Sequence, residues 1–224
     1  NDFLPDNFII YKPKDIVAGD FYWIEKMNEN LIIAAADCTG HGVPGAMVSV
    51  VCHNALNRAV KEFKYIEPDK ILNKTRELVI ETFDQGDEDV RDGMDIALCS
   101  INLKTKQLQF AGANNPLFII RDNKLQITKG DRQHIGKFLN ENPFTNNKLD
   151  LVKGDTIYIF SDGYADQFGG PNGKKFKQKK LQELLLSIID VSMEEQKSKI
   201  ENAFEKWKGE IEQIDDVCIV GFRI

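Results

Sequence analysis

The chain has 224 residues, with 29 Lys and Arg against 35 Asp and Glu, a net charge of -6, and 42% hydrophobic and 29% charged residues. That apolar share is too high for a disordered chain, and the length suits a sizeable core, so 1–224 reads as one domain. An acidic balance without a basic stripe excludes a general nucleic-acid binder, and no apolar run is long enough to span a bilayer.

The start, NDFLPDNF, lacks a basic-then-apolar signal, and a first residue of Asn suits a domain cut from a longer protein. Phe8–Lys12 (FIIYK) reads as a short strand stopped by Pro13. Asp20–Met27 and Leu31–Ala36 pair through an Asn28-Glu29-Asn30 turn. The run LIIAAAD is continuously apolar, as in a strand buried on both faces, and delivers Asp37 into the glycine turn CTGHGVPG. A helix follows from about Pro44 to Phe63, with Met47, Val50, Val51 and Asn54 or Ala55 at core spacing. A second starts near Pro68, with Ile71, Thr75, Leu78, Val79 and Thr82 on one face, and ends before the acidic loop Asp84–Gly93. Met94–Leu103, Gln107–Ala113, Leu117–Arg121 and Lys124–Thr128 form a meander whose connections have hairpin length. Leu149–Val152 and Thr156–Ser161 read as strands, Lys177–Ile189 and Met193–Trp207 as amphipathic helices, and Val217–Arg223 as a last strand. The pattern predicts an α+β fold of two mainly antiparallel sheets flanked by helices.

Four cysteines (Cys38, Cys52, Cys99 and Cys218) without a CxxC pair read as reduced thiols of a cytoplasmic protein. Four acidic sites share one context. Asp20 opens a strand, Asp37 and Asp162 end apolar strands, and Asp215 and Asp216 open the last one. A carboxylate at the tip of a buried strand loses hydration, at a cost of several kcal/mol unless a cation or hydrogen bonds replace the water. Four such sites are better explained by a shared cation than by four separate caps. Oxygen ligation without clustered His or Cys points to a hard ion, Mg²⁺ or Mn²⁺. His41, inside the glycine turn, reads either as a site residue or as part of the turn, and mid-helix His53 as structural. Asp15, Asp92 and Asp155 read as turn residues. Asp95 in GMDIAL supports the site or faces an edge. The lysines at 174, 175, 177, 179 and 180 read as a solvated face, with docking to an acidic or phosphorylated partner as the other reading.

GDFYW (Gly19–Trp23), AAADCTGHGVPGAM (Ala34–Met47), FAGANNPLF (Phe110–Phe118), FSDGYAD (Phe160–Asp166) and DDVCIV (Asp215–Val220) resemble, in this order, the PPM metal-dependent protein serine/threonine phosphatases. The resemblance is to the bacterial branch of stage II sporulation protein E and the sigma-regulating phosphatases. It implies a four-layer α-β-β-α sandwich and a centre of two Mn²⁺ or Mg²⁺ ions. Asp37 would bridge them, the Cys38 carbonyl would be the adjacent backbone ligand, and Asp162 and Asp215 would complete one ion. Asp20 would hold the other, and Asp216 is the second choice beside Asp215. A metal-activated water would attack phosphorus, with a second water or His41 protonating the leaving oxygen. The implied substrate is a phosphorylated protein such as an anti-sigma-factor antagonist, with a sensory or regulatory region N-terminal to the domain.

Three departures stand out. AGANNP lacks the Asp of a third metal site, His41 is offset from the family's acid histidine, and the phosphate-binding Arg has only Lys12 or Lys14 as counterparts. A substrate-facing flap is expected within Gln167–Lys177. Two other functions fit the same motifs: a catalytically silent pseudophosphatase used as a binding module, and a hydrolase of small phosphomonoesters.

Overall fold

Strands with a two-residue period and helices with one apolar face set the layers of this molecule. The computed structural model describes residue 4 and residues 6–84, 92–137 and 141–224, so residues 85–91 of the expected acidic loop lie outside the described residues. In chain order come β1 (Asn7–Lys12), β2 (Phe21–Met27), β3 (Asn30–Cys38), α1 (Gly42–Lys61), α2 (Pro68–Phe83), β4 (Met94–Asn102), β5 (Gln107–Ala113), β6 (Leu117–Arg121) and β7 (Lys124–Thr128). Then follow β8 (Asn147–Asp150), β9 (Thr156–Phe160), α3 (Gly163–Asp166), β10 (Phe168–Gly169), β11 (Lys174–Lys175), α4 (Gln178–Ser187), α5 (Met193–Lys208) and β12 (Val217–Arg223). One five-stranded sheet has the order β1-β12-β9-β6-β7 and the other β2-β3-β4-β5-β8, with all neighbours antiparallel.

Three apolar layers separate the four structural ones. Alternate residues of each central strand choose between two of them, because successive side chains leave a strand on opposite faces. On β3, Ile32, Ala34, Ala36 and Cys38 pack under α1 and α2, while Leu31, Ile33 and Ala35 face the other sheet. On β12, Val217 and Ile219 pack under α4 and α5, while Cys218, Val220 and Phe222 face the first row across the sandwich. Central strands buried on both sides must be apolar throughout, as LIIAAA and VCIVGF are. The result is the expected α-β-β-α sandwich.

Two expectations are corrected. The buried face of α1 is Val48, Cys52, Ala55, Leu56, Ala59 and Val60, whereas Met47 and Val50 are 69% and 63% exposed. The helix is apolar almost all round from Val43 to Leu56, so its period fits two stripes, and the smaller residues lie against the sheet. The meander is also split, because β5 and β6 belong to different sheets and Asn114-Asn115-Pro116 is a crossover. Its backbone is satisfied across the loop instead, with Asn114 N–H donating to Asp131 O and Asp131 N–H donating to Gly112 O, each at 2.8 Å. Between Gln167 and Lys177, where a flap is expected, stands the small β10-β11 ribbon.

Candidate active site

The inter-sheet rows of four strands change from apolar to polar at one end of the sandwich. Row 31, 33, 35 of β3 continues to Asp37, and row 97, 99, 101 of β4 continues the other way to Asp95, which is paired with Asp37 across the ladder. Row 157, 159 of β9 reaches Ser161 and then Asp162, and row 218, 220, 222 of β12 begins at Asp216 beside Asp215. Asp20 enters from the residue before β2. The period that builds the core therefore delivers Asp37, Asp95 and Asp216 to one end, and Asp162 and Asp215 lie one residue beyond their rows there.

They meet at a cleft of about 390 Å³ whose wall includes Asp37, Cys38, His41, Asp95, Asn114, His134, Asp162 and Asp215. Asp20 is 3% exposed and does not line that wall. Burial pushes its carboxyl up to about 8, with the charges of Asp216 and Asp215 adding to the effect. Burial raises Asp37 to about 10, with the charges of Asp20, Asp162 and Asp215 adding to it. Asp162 and Asp215 are raised too, again chiefly by burial. Like charges held out of water resist ionisation unless a cation joins them.

The donor set fits a hard divalent cation. Asp20 Oδ2 is buried with no hydrogen-bond partner, and the charges of Asp20, Asp162 and Asp215 all act on Asp37. Among the described residues no three His, Cys, Asp or Glu side chains are placed so that together they could hold a metal ion.

The other expected residues fall around this cluster. The Cys38 side chain is buried beneath the helices, while its carbonyl lies beside Gly19, where a Cβ would stand 3.3 Å from that oxygen and 2.4 Å from Gly40 O. No side chain fits there. Asp216 is 1% exposed and spends both oxygens on backbone: Oδ1 accepts from Lys14 N–H and Oδ2 from Gly19 N–H, both at 2.7 Å. His41 Nδ1 stands 3.0 Å from Asp15 Oδ2, and its Nε2 stands 2.9 Å from Lys14 Nζ. Lys12 Nζ is spent on Glu205 at 2.8 Å, which leaves Lys14 as the lysine beside the cleft wall. His53 packs edge-on against Phe21, on α1 away from the cleft.

Sequence reasoning gave Asp15 a turn role and passed over Asn114 and His134. Asn114 Nδ2 donates to Asp95 Oδ1 at 2.8 Å, which resolves Asp95 as a cleft residue rather than an edge one. Nothing in the spacing of Asn114 and His134 could have announced this, since both reach the cleft from loops.

The sandwich with carboxyls at one end of its inter-sheet layer defines a PP2C-type, or PPM, phosphatase domain. The family model for stage II sporulation protein E matches residues 28–224, and the chain belongs to that family. Among solved structures it is similar to the SiaA PP2C domain of Pseudomonas aeruginosa, with 30% identity, a TM-score of 0.89, and coverage of 97% of this chain and 85% of that one. The PP2C domain with a regulatory-domain fragment of SpoIIE from Bacillus subtilis follows at 17% identity and a TM-score of 0.77, covering 98% and 63%. A serine/threonine phosphatase of S. agalactiae shares the fold at 15% identity and a TM-score of 0.71, covering 98% and 99%. No curated protein matches the chain by sequence.

Proposed function

We propose that the domain is a protein serine/threonine phosphatase that hydrolyses phosphoserine or phosphothreonine monoesters with two Mn²⁺ or Mg²⁺ ions. The observation that carries this reading is the buried, unpartnered Oδ2 of Asp20 inside a cluster of carboxyls that burial and mutual repulsion hold towards protonation. Asp37 would bridge the ions, Asp162, Asp215 and the Cys38 carbonyl would complete one, and Asp20 would hold the other. Bound, such ions supply a water acidified to near neutrality and positive charge for the phosphoryl oxygens.

The chain's own residues do the rest. Burial of Asp20 keeps water from competing for its oxygens, while Asp37 faces the cleft. Asp15 holds His41 by Nδ1 at the cleft wall, and its Nε2, which faces Lys14 Nζ at 2.9 Å, can pass a proton to the leaving seryl or threonyl oxygen once Lys14 turns away. Asn114 fixes the Asp95 carboxyl at the cleft wall beside Asp37. None of the expected site aspartates is missing, so turnover is favoured over a silent binding module.

The substrate is read as a phosphorylated regulator of the anti-sigma-factor-antagonist type, and the domain as the cytoplasmic output of a longer signalling protein. The likeness to a SpoIIE chain that includes a regulatory fragment, and to RsbU and RsbW domains of a Mycobacterium tuberculosis protein, supports this. Among the described residues no helix is long and apolar enough to cross a membrane.

Phosphate release from a phosphoserine peptide tests the proposal, with Mn²⁺, with Mg²⁺ and with excess chelator. Release that needs the metal is expected. A folded sample that binds Mn²⁺ and releases nothing would transfer the reading to a binding module.

A further inference from the structure

We infer that Asp216 is a positioning residue that clamps the loop between β1 and β2, and that it is not a cation ligand. The inference rests on the reading of the cleft as a divalent-cation site and says which carboxyls serve it. Asp216 is 1% exposed, yet its carboxylate is fully answered by the protein. Oδ1 accepts from Lys14 N–H at 2.7 Å, and Oδ2 from Gly19 N–H at 2.7 Å and from Asp20 N–H at 3.4 Å. Backbone N–H bonds of that length to a carboxyl are the strong kind, and they occupy both of its oxygens without a metal. Asp215 differs. It lies on the cleft wall, burial raises it, and its Oδ1 accepts only the N–H of the next residue, at 2.9 Å, leaving Oδ2 for another partner.

The two ends of the clamped segment explain what the clamp is for. Gly19 N–H fixes the residue before Asp20, and Asp20 must enter a space too narrow for a side chain at Gly19. Lys14 N–H fixes the other end, where Lys14 Nζ and Asp15 Oδ2 bracket the two nitrogens of His41. One carboxylate therefore sets both the buried Asp20 and the proton-carrying His41. Asparagine at 216 would keep one acceptor but aim an N–H₂ at the second backbone donor, so it cannot close the segment.

Two measurements decide this. In the wild-type domain, amide exchange of Lys14 and Gly19 is followed by NMR without cation and with saturating Mg²⁺. The clamp keeps both amides protected in both states. A carboxylate that turns to the ion would release them, and that result would overturn the inference whether or not any variant folds.

In the second, calorimetric Mn²⁺ binding and amide exchange are compared for wild type, D215N and D216N. D216N should exchange Lys14 and Gly19 at least tenfold faster, keep the wild-type Mn²⁺ stoichiometry, and lose about tenfold in affinity, as for a broken support behind a ligand. D215N should lose an ion. Equal loss of Mn²⁺ in the two variants contradicts the clamp. A wild-type domain that binds no Mn²⁺ refutes the cation reading instead, and the cation-free exchange of D216N still tests the clamp by itself.

Discussion

At the scale of single residues, His41 and Asp37 make separable claims. A proton donor matters in proportion to how poor the leaving group is. His41→Ala should lower turnover of a phosphoserine peptide by about a hundredfold, the lower range for general acid catalysis, and leave p-nitrophenyl phosphate within a fewfold. Steady-state rates on the two substrates check it. An equal loss on both would mean that His41 acts on binding or on the ions. The aspartates were legible because a carboxylate at the end of a continuously apolar strand has no cheap structural excuse. Asp15 was not, since one turn aspartate looks like another until His41 is seen 3.0 Å away. Asp216 shows the converse, as its neighbour Asp215 has the same sequence context and a different environment.

At the scale of elements, the long strands were readable nearly to the residue, because their two-residue period is also what sorts side chains between layers. By contrast, β8 lies two residues before the expected Leu149–Val152, and the short β10 and β11 were not expected. The helix α1 was harder. Its first three turns are apolar on both sides, so periodicity alone placed Met47 and Val50 inside, where the structure has Val48, Cys52 and Leu56. Leu56, which is fully buried, should cost about 2–5 kcal/mol when cut to Ala, by lost transfer energy plus the cavity left behind. Met47→Ala should stay within about 0.5 kcal/mol of wild type, as exposed sites do. Urea unfolding of the two variants distinguishes the faces, and the opposite ranking would return the helix to its expected orientation. The crossover at Asn114-Asn115-Pro116 was unreadable for another reason. Three turn-forming residues suit a hairpin and a sheet change equally, and the choice is made by contacts with Asp131 far along the chain.

At the scale of the whole molecule, the fold holds its carboxyls together against their repulsion, and stability should show it. Burial pushes Asp20 up to about 8 in the folded chain and Asp37 higher still, whereas an unfolded aspartate ionises near 4. Above about pH 4 the folded state therefore holds protons that the unfolded state has released. Stability is full below that pH and is lost as pH rises towards 8, by roughly 1.4 kcal/mol per pH unit for each retained proton. The Tm of the chelator-treated domain should fall by about ten degrees or more between pH 5 and pH 8. Excess Mn²⁺ should restore most of the loss at pH 8, since an ion bound only to the folded state adds to its stability. A flat or rising Tm without metal would contradict the burial of these groups as charged competitors.

The central claim is that Asp37 joins two cations at the end of the inter-sheet layer. Electron paramagnetic resonance of the chelator-stripped domain with two equivalents of Mn²⁺ tests it most directly. The account predicts the spectrum of a spin-coupled Mn²⁺ pair in wild type, and its loss in Asp37→Asn while circular dichroism stays unchanged. A spectrum of isolated Mn²⁺ in the wild-type domain, or a coupled pair that survives in Asp37→Asn, would contradict it.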